Sequence, residues 1–400
     1  MKLSYSLTGL LILCAACQPK PQQGYTLNGV LTGNAESGKA YIEKTDYAAA
    51  KTIILDSAVI TNGKFQLKGK VEQPEMYKLI IDLNKPGEEE DLRNKKLSYP
   101  FYLENSDITF EGDVATLPGY FWSERKTVPP TITGSATQDL YISYQNDLKE
   151  INDTLRKLNN RYIYEYNIPT MNGEDKAEVG IEIVKAEKEW GKQMQSKKLE
   201  FIKSHPSSVV AYDEVNSFLE GLEVSITAAQ IDEMVGWLKP AWEGTPKFES
   251  LLLAAGKAKK LAIGEPYLDE SFLTTKGDTV KLSSIMKKGD YVMLEFWASW
   301  CGPCRGEIPH LVKVHQKYPN FELISISVDE KEADWQKAMK EEGMTWKQLR
   351  IAGGIYGEAA KAYNITGVPT CIILDKEGRF YKTNMRGAYL DEFLQEIYGK

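Results

Sequence analysis

The sequence predicts a multidomain chain with an all-β N-terminal domain, a helical middle region and a C-terminal α/β domain. Three observations carry this prediction. Short apolar or alternating runs separated by turn residues occupy 25 to about 112. Long charged segments with apolar residues at helical spacing occupy about 135 to 262. Strand-like and helix-like stretches then alternate to the end, the pattern of a sheet covered by helices. At 400 residues the chain is too long for one compact domain. The predicted boundaries are 25–134, 135–263 and 264–400, preceded by a leader at 1–17 and a tether at 18–24.

In the first region, strands are predicted at Tyr41-Ile-Glu-Lys44, Thr52-Ile-Ile-Leu55, Phe65-Gln-Leu-Lys68 and Tyr77-Lys-Leu-Ile-Ile-Asp82. Thr61-Asn-Gly-Lys64 and Asn84-Lys-Pro-Gly87 read as turns, and Glu88 to Lys96 as a solvated charged loop. In the middle region, Gln138 to Tyr164 and Lys176 to His205 each read as one long helix, the second stopped by Pro206. Shorter helices follow at 209–222, 228–238 and 248–260, with Thr227 as the N-cap of the second. Tyr141, Tyr144, Tyr162, Tyr164 and Tyr166 read first as packing residues and second as a recognition surface.

Gly264-Glu-Pro-Tyr267 marks the last boundary, and 275–283 reads as a hairpin. Strands are predicted at 291–297 and 321–328, and near 371–375 and 379–383. Helices are predicted at 302–318, 331–342, 357–363 and 389–398.

The chemistry concentrates where the first of these strands meets its helix. An apolar run from Val292 stops at Trp300 and is followed at once by Cys301-Gly-Pro-Cys304. A cysteine at a helix N-terminus is favoured as thiolate by unsatisfied N–H groups and the dipole, and a second cysteine one turn on can close a disulfide with it. Pro303 suits the first helical turn. Zinc would need four ligands, and beyond the leader only Cys371 and the three histidines remain, with no second CxxC or closely spaced His pair. A disulfide closing so short a loop adds little stability. The pair therefore reads as redox-active, with no metal or cofactor expected.

The first twenty residues bear on compartment. Lys2 precedes an apolar stretch from Leu7 to Leu13 that is too short to span a bilayer, then Ala15-Ala16-Cys17. With Cys14 and Cys17 set aside, Cys301, Cys304 and Cys371 remain of the five cysteines. Cys371 lies in an apolar run and reads as a small buried hydrophobe. The net charge of −7 gives no basic footprint for nucleic acid.

Phe296-Trp-Ala-Ser-Trp-Cys-Gly-Pro-Cys304 resembles the active site of thioredoxin-fold oxidoreductases. With Arg305-Gly-Glu-Ile-Pro309 behind it, the segment is similar to the membrane-tethered TlpA/ResA-like branch. Thr366-Gly-Val-Pro-Thr370 matches that family's second signature, in which the proline at Pro369 is cis and faces the dithiol. The 275–283 hairpin is similar to an N-terminal addition of TlpA-like domains. Asp56 to Phe65, with Phe101 to Ser106, resembles a β domain carried by Bacteroidetes lipoproteins. The leader resembles a lipoprotein signal in which Cys17 is acylated, although Cys14 stands where leucine is usual.

The resemblance implies a thioredoxin fold for 264–400 and a lipid-anchored, periplasm-facing thiol–disulfide oxidoreductase of the cell envelope. Cys301, as the N-terminal sulfur, is the expected nucleophile and Cys304 the resolving thiol. Trp300, Gly302, Pro303, Val368 and Pro369 are the expected substrate-binding residues. Glu295, six residues before Cys301, and Glu307, three after Cys304, are the candidate proton-transfer carboxylates. The alternative for Glu295 is an ion pair with a lysine, and for Glu307 plain helix-dipole chemistry.

The Gly-Pro dipeptide matches reducing thioredoxins, near about −270 mV, rather than oxidants near about −120 mV. The implied substrates are disulfide-bonded proteins, apocytochromes among them, with electrons from a transmembrane thiol donor. Oxidase or isomerase activity, and a surface binding module with an accessory redox domain, are the competing readings. A peroxiredoxin-like peroxidase is a third, but Ala298 and Leu294 stand where its threonine and proline belong.

Overall fold

Along Tyr25–Thr32 (β1) buried and partly exposed side chains alternate, the signature of a strand with one face on a core. The computed structural model describes residues 23–46, 51–85, 87–220, 226–287 and 289–399. The expected leader, Cys14, the lipidation candidate Cys17 and most of the tether lie outside the described residues, as do Pro86 and Leu222. The chain divides into two compact units, one ending at Ile142 and the other beginning at Ser143.

The first unit continues with Ser37–Asp46 (β2), Lys51–Thr61 (β3), Lys64–Gly69 (β4) and Glu75–Asp82 (β5). Lys96–Leu103 (β6), Asp107–Asp113 (β7) and Thr131–Thr133 (β8) complete it. They form one sheet in the order β6-β5-β2-β3-β4-β1-β7-β8, antiparallel except where β1 runs parallel to β7. The predicted Asn-Gly turn joins β3 to β4, with Asn62 and Gly63 both at positive φ, as a two-residue hairpin turn requires. Leu27, Leu67, Phe101, Ile108 and Phe110 pack on the buried face.

Helices follow at Ala136–Asp147 (α1), Lys149–Arg161 (α2), Ile168–Met171 (α3), Ala177–Ser204 (α4) and Val209–Glu220 (α5). Ala228–Trp242 (α6) and Pro246–Lys259 (α7) complete the helical region. Helix covers the expected stretch from Gln138 to Tyr164, with a change of pitch at its end. The hydrogen-bond ladder crosses Leu148, whose amide bonds Tyr144 and whose carbonyl accepts from Asn152. It then widens into a π turn at Tyr162–Asn167. Pro169 has no N–H to return to the preceding turn and its ring crowds the carbonyl there, and the wider turn accommodates both. Thr227 caps α6 in a reciprocal capping box with Gln230, as its position predicts. That helix runs past the expected 238 and through Pro240 because Trp242 is anchored, its indole N–H donating to the Pro206 carbonyl at 2.9 Å.

The C-terminal sheet comprises Ser271–Thr274 (β9), Thr279–Lys281 (β10), Tyr291–Trp297 (β11), Phe321–Ser327 (β12), Lys347–Arg350 (β13), Thr370–Leu374 (β14) and Phe380–Thr383 (β15). Its order is β10-β9-β13-β12-β11-β14-β15. Strands β11, β12 and β13 are parallel, and β14 is antiparallel to β11. The helices are Leu282–Ile285 (α8), Gly302–Lys317 (α9), Glu332–Glu341 (α10), Glu358–Ala362 (α11) and Ala388–Tyr398 (α12). This is the thioredoxin fold that the motif implied. Strand β13 was not foreseen because Lys-Gln-Leu-Arg buries only Leu349 and carries no apolar run.

Helix α4 packs on α12. Lys188 pairs with Glu392 and the Tyr389 hydroxyl donates to Glu187. A Cβ on Gly180 would lie 2.5 Å from both the Tyr166 ring and the Ala388 side chain. Glycine there lets the π turn seat against both helices.

Candidate active site

Strand β11 is buried along almost its whole length, as expected of an apolar run in the middle of a covered sheet. Where it ends, the chain is clamped. The Ser299 amide and hydroxyl both donate to Asp329, at 2.9 and 2.7 Å, and the Ser327 hydroxyl donates to the same carboxylate at 2.7 Å. Asp329 is only 2% exposed. Asp329→Ala should cost about 2–3 kcal/mol in urea unfolding, because it leaves partly buried donors unsatisfied, and Asp329→Asn, which keeps one acceptor, should cost less.

The clamp delivers Cys301 to the N-cap of α9, where its sulfur accepts the Cys304 amide at 3.2 Å. Cys301 and Cys304 are joined in a disulfide. Cys301 is 5% exposed and Cys304 fully buried, whereas the preceding Trp300 is 67% exposed. Gly302 and Pro303 are exposed as well. Across from the pair, the Val368–Pro369 peptide is cis and the Val368 carbonyl oxygen lies 3.7 Å from the Cys301 sulfur. Of the predicted residues, the structure thus gathers the two cysteines with Val368 and Pro369, and sets Trp300, Gly302 and Pro303 on the adjoining surface.

Glu295 is 2% exposed, inside β11. Its carboxylate accepts the Ser325 hydroxyl, which in turn accepts the Trp346 indole N–H at 2.8 Å. The ion pair with lysine held as its alternative does not form, and no cation among the described residues pairs with it. Strand register explains this: β12 places Ser325 opposite Glu295, and β14 places Cys371 opposite it. Burial pushes the Glu295 carboxyl up to about 7, the Ser325 hydrogen bond opposing and the charge of Glu307 adding to it. Cys371 is a free, buried thiol, as predicted. Its pKa is raised by burial and then by Glu295.

Glu307 stands one turn into α9. One of its oxygens accepts both the Gly387 amide and the His310 ring, each at 2.8 Å, and the other His310 nitrogen lies 2.8 Å from Asp391. Burial opposes a charge on His310, but its hydrogen bonds to Asp391 and Glu307, and their charges, outweigh that and push its pKa up to about 10. His310 is an imidazolium at neutral pH, donating from both nitrogens and tying α9 to α12.

Beside the dithiol helix lies a cleft of about 630 Å³. One wall is Gly302, Pro303, Gly306 and His310, and the other is Tyr162, Tyr166 and Met171 from the π turn and α3. Sequence reasoning missed Asp329, Ser325, His310 and Asp391. The three-residue spacing of Glu307 and His310 was a readable helix pair, but partners brought in from other elements left no local signal.

Residues 25–141 match the family model described as a domain of unknown function, DUF4369, and 289–380 match the model described as thioredoxin-like. The chain is 27% identical over 146 residues to the thiol–disulfide oxidoreductase ResA of Bacillus thuringiensis subsp. konkukian, covering 35% of this chain and 82% of that protein. It is 32% identical over 125 residues to tryparedoxin of Trypanosoma brucei brucei, covering 30% of this chain and 84% of that one. Among solved structures, it is similar to the thioredoxin domain of a thiol–disulfide oxidoreductase from Bacteroides vulgatus. There the identity is 30%, the coverage 34% of this chain and 98% of that one, and the TM-score 0.32.

Proposed function

The chain belongs to the thioredoxin-like family of thiol–disulfide oxidoreductases, and we propose that it reduces disulfides of exported proteins through Cys301 and Cys304. The observation that carries this reading is the helix-capping Cys301 sulfur, with the Cys304 amide on one side and the Val368 carbonyl on the other. The amide and the helix N-terminus favour a thiolate at Cys301 once the pair is reduced.

In the proposed cycle, the Cys301 thiolate attacks one sulfur of a substrate disulfide, forming a mixed disulfide and releasing the first substrate thiolate. Cys304 gives its proton to Glu295 and attacks Cys301. The second substrate thiolate leaves, and both leaving groups are protonated. The substrate gains two electrons and the Cys301–Cys304 pair loses two. A transmembrane thiol donor restores the pair. Glu295 suits this duty because a carboxyl pushed up to about 7 exchanges its proton near neutral pH. The Glu307 oxygen held by Gly387 and His310 supports a positioning role for that residue rather than proton transfer.

An exported, lipid-anchored location rests on the leader sequence and Cys17. Among the described residues no helix is long and apolar enough to cross a membrane.

Equilibration of the intact protein in glutathione and dithiothreitol buffers tests the direction of electron flow. A reduction potential below about −200 mV is the expected result for a reductase. A value near about −120 mV would make the protein an oxidant and overturn the proposed direction.

A further inference from the structure

The cleft beside the dithiol is lined by two cations without counter-ions. Lys313 is exposed on α9, and Arg386 sits in the loop before α12. Neither makes an ion pair with any described residue. The guanidinium of Arg386 donates to Asn384 at 3.0 Å, and its Nε is buried without an acceptor. Glu307 and Asp391 share the single His310 imidazolium, and Glu174 and Asp175 line the adjoining hollow, so the cleft's own lining sets one carboxylate, Glu307, against His310, Lys313 and Arg386. The cleft therefore carries unbalanced positive charge on a chain whose net charge is −7.

The opposite wall is aromatic and fixed. Tyr162 and Tyr166 fall on one face of the π turn with ring centroids 4.9 Å apart, and both hydroxyls sit against Gly387, 2.8 and 3.0 Å from where a Cβ there would lie. Their rings are thus held as a surface, with exposed Met171 beside them. Gly302 and Pro303, which follow Cys301 in the chain, line the cleft as well, so it adjoins the start of the dithiol helix.

We propose that this cleft docks a segment of the disulfide-bearing substrate that carries an acidic side chain beside an apolar or aromatic one. The proposal rests on the thiol–disulfide reading above and assigns its specificity to the helical region. Two unpaired cations complement a carboxylate, and an aromatic wall with a methionine accepts an apolar neighbour. A basic segment meets like charge.

The test uses the intact reduced protein and three oxidants. Two are synthetic peptides with one intramolecular disulfide each, flanked by Glu-Phe in one and Lys-Phe in the other. The third is neutral 2-hydroxyethyl disulfide. The acidic peptide should oxidise the dithiol about tenfold faster than the basic one at low salt. That ratio should fall below about twofold in Lys313→Glu/Arg386→Gln, and shrink in 0.5 M salt. Lys313→Glu alone, on an exposed side chain, should lower it about threefold.

Equal rates for the two peptides, or a ratio that survives the double substitution, would overturn the cleft assignment while leaving the redox reading intact. Failure of hydroxyethyl disulfide to oxidise the dithiol would instead count against the redox reading. In that case the binding of a serine-for-cysteine acidic peptide, followed by fluorescence anisotropy, decides the cleft. At least about fivefold weaker binding by the double variant upholds it, and unchanged binding overturns it.

Discussion

Cys301→Ser should reduce protein-disulfide turnover to background, a loss of about 10⁴-fold or more. A hydroxyl at the N-cap can still accept the Cys304 amide, so the fold and the cap survive, but an alcohol does not open a disulfide at neutral pH. Cys304→Ser separates the two halves of the cycle. Its Cys301 still attacks once, and without a resolving thiol the substrate stays attached. Intact-mass analysis after exposure to a disulfide peptide should show the protein plus one covalently held peptide, releasable by dithiothreitol. Cys371→Ala should leave turnover near that of the parent, because its thiol is buried and its pKa is raised well above the ordinary value. Turnover by Cys301→Ser above a tenth of the parent rate would sink the assignment of the nucleophile.

The Cys301–Cys304 disulfide and the fold around it were legible because both are written locally. An apolar strand, a CxxC and a helix lie within one stretch, and the cis-proline signature heads the strand that pairs with it. Glu295 was legible for a different reason: a carboxylate in an otherwise apolar run must be paired or perturbed. Its partner was not legible, since Ser325 reaches it through strand register thirty residues on. His310 shows the same limit. Its bond to Glu307 follows from helix spacing, but Asp391 arrives from α12 and Gly387 from the loop before it. The tyrosines divided in a way the sequence could not specify. Tyr144 stacks on Phe201 as a packing residue, whereas Tyr162 and Tyr166 face the cleft on a π turn that ends shortly before Pro169 and for which Gly180 makes room.

Glu295→Gln should move stability and activity in opposite directions. A carboxyl whose pKa rises from 4.5 to about 7 on folding holds its proton more tightly in the native state. Native protein is therefore favoured by this group below the unfolded value, and the advantage is lost as pH rises through the native one. For a fully buried group that loss amounts to about 3 kcal/mol between pH 4.5 and 7. Glutamine keeps the shape and an acceptor for Ser325 but cannot ionise. Urea unfolding should find the variant more stable than the parent by up to about 3 kcal/mol at pH 8, and nearly equal to it at pH 4.5. Turnover should change the other way. With no base to take the Cys304 proton, the resolving step should slow about 10²-fold, and the inflection near pH 7 in the rate profile should vanish. A structural carboxyl would show the first effect without the second. Parent-like turnover and an unchanged pH profile in Glu295→Gln would therefore remove Glu295 from the proton path and leave it as a cost that the fold carries at neutral pH.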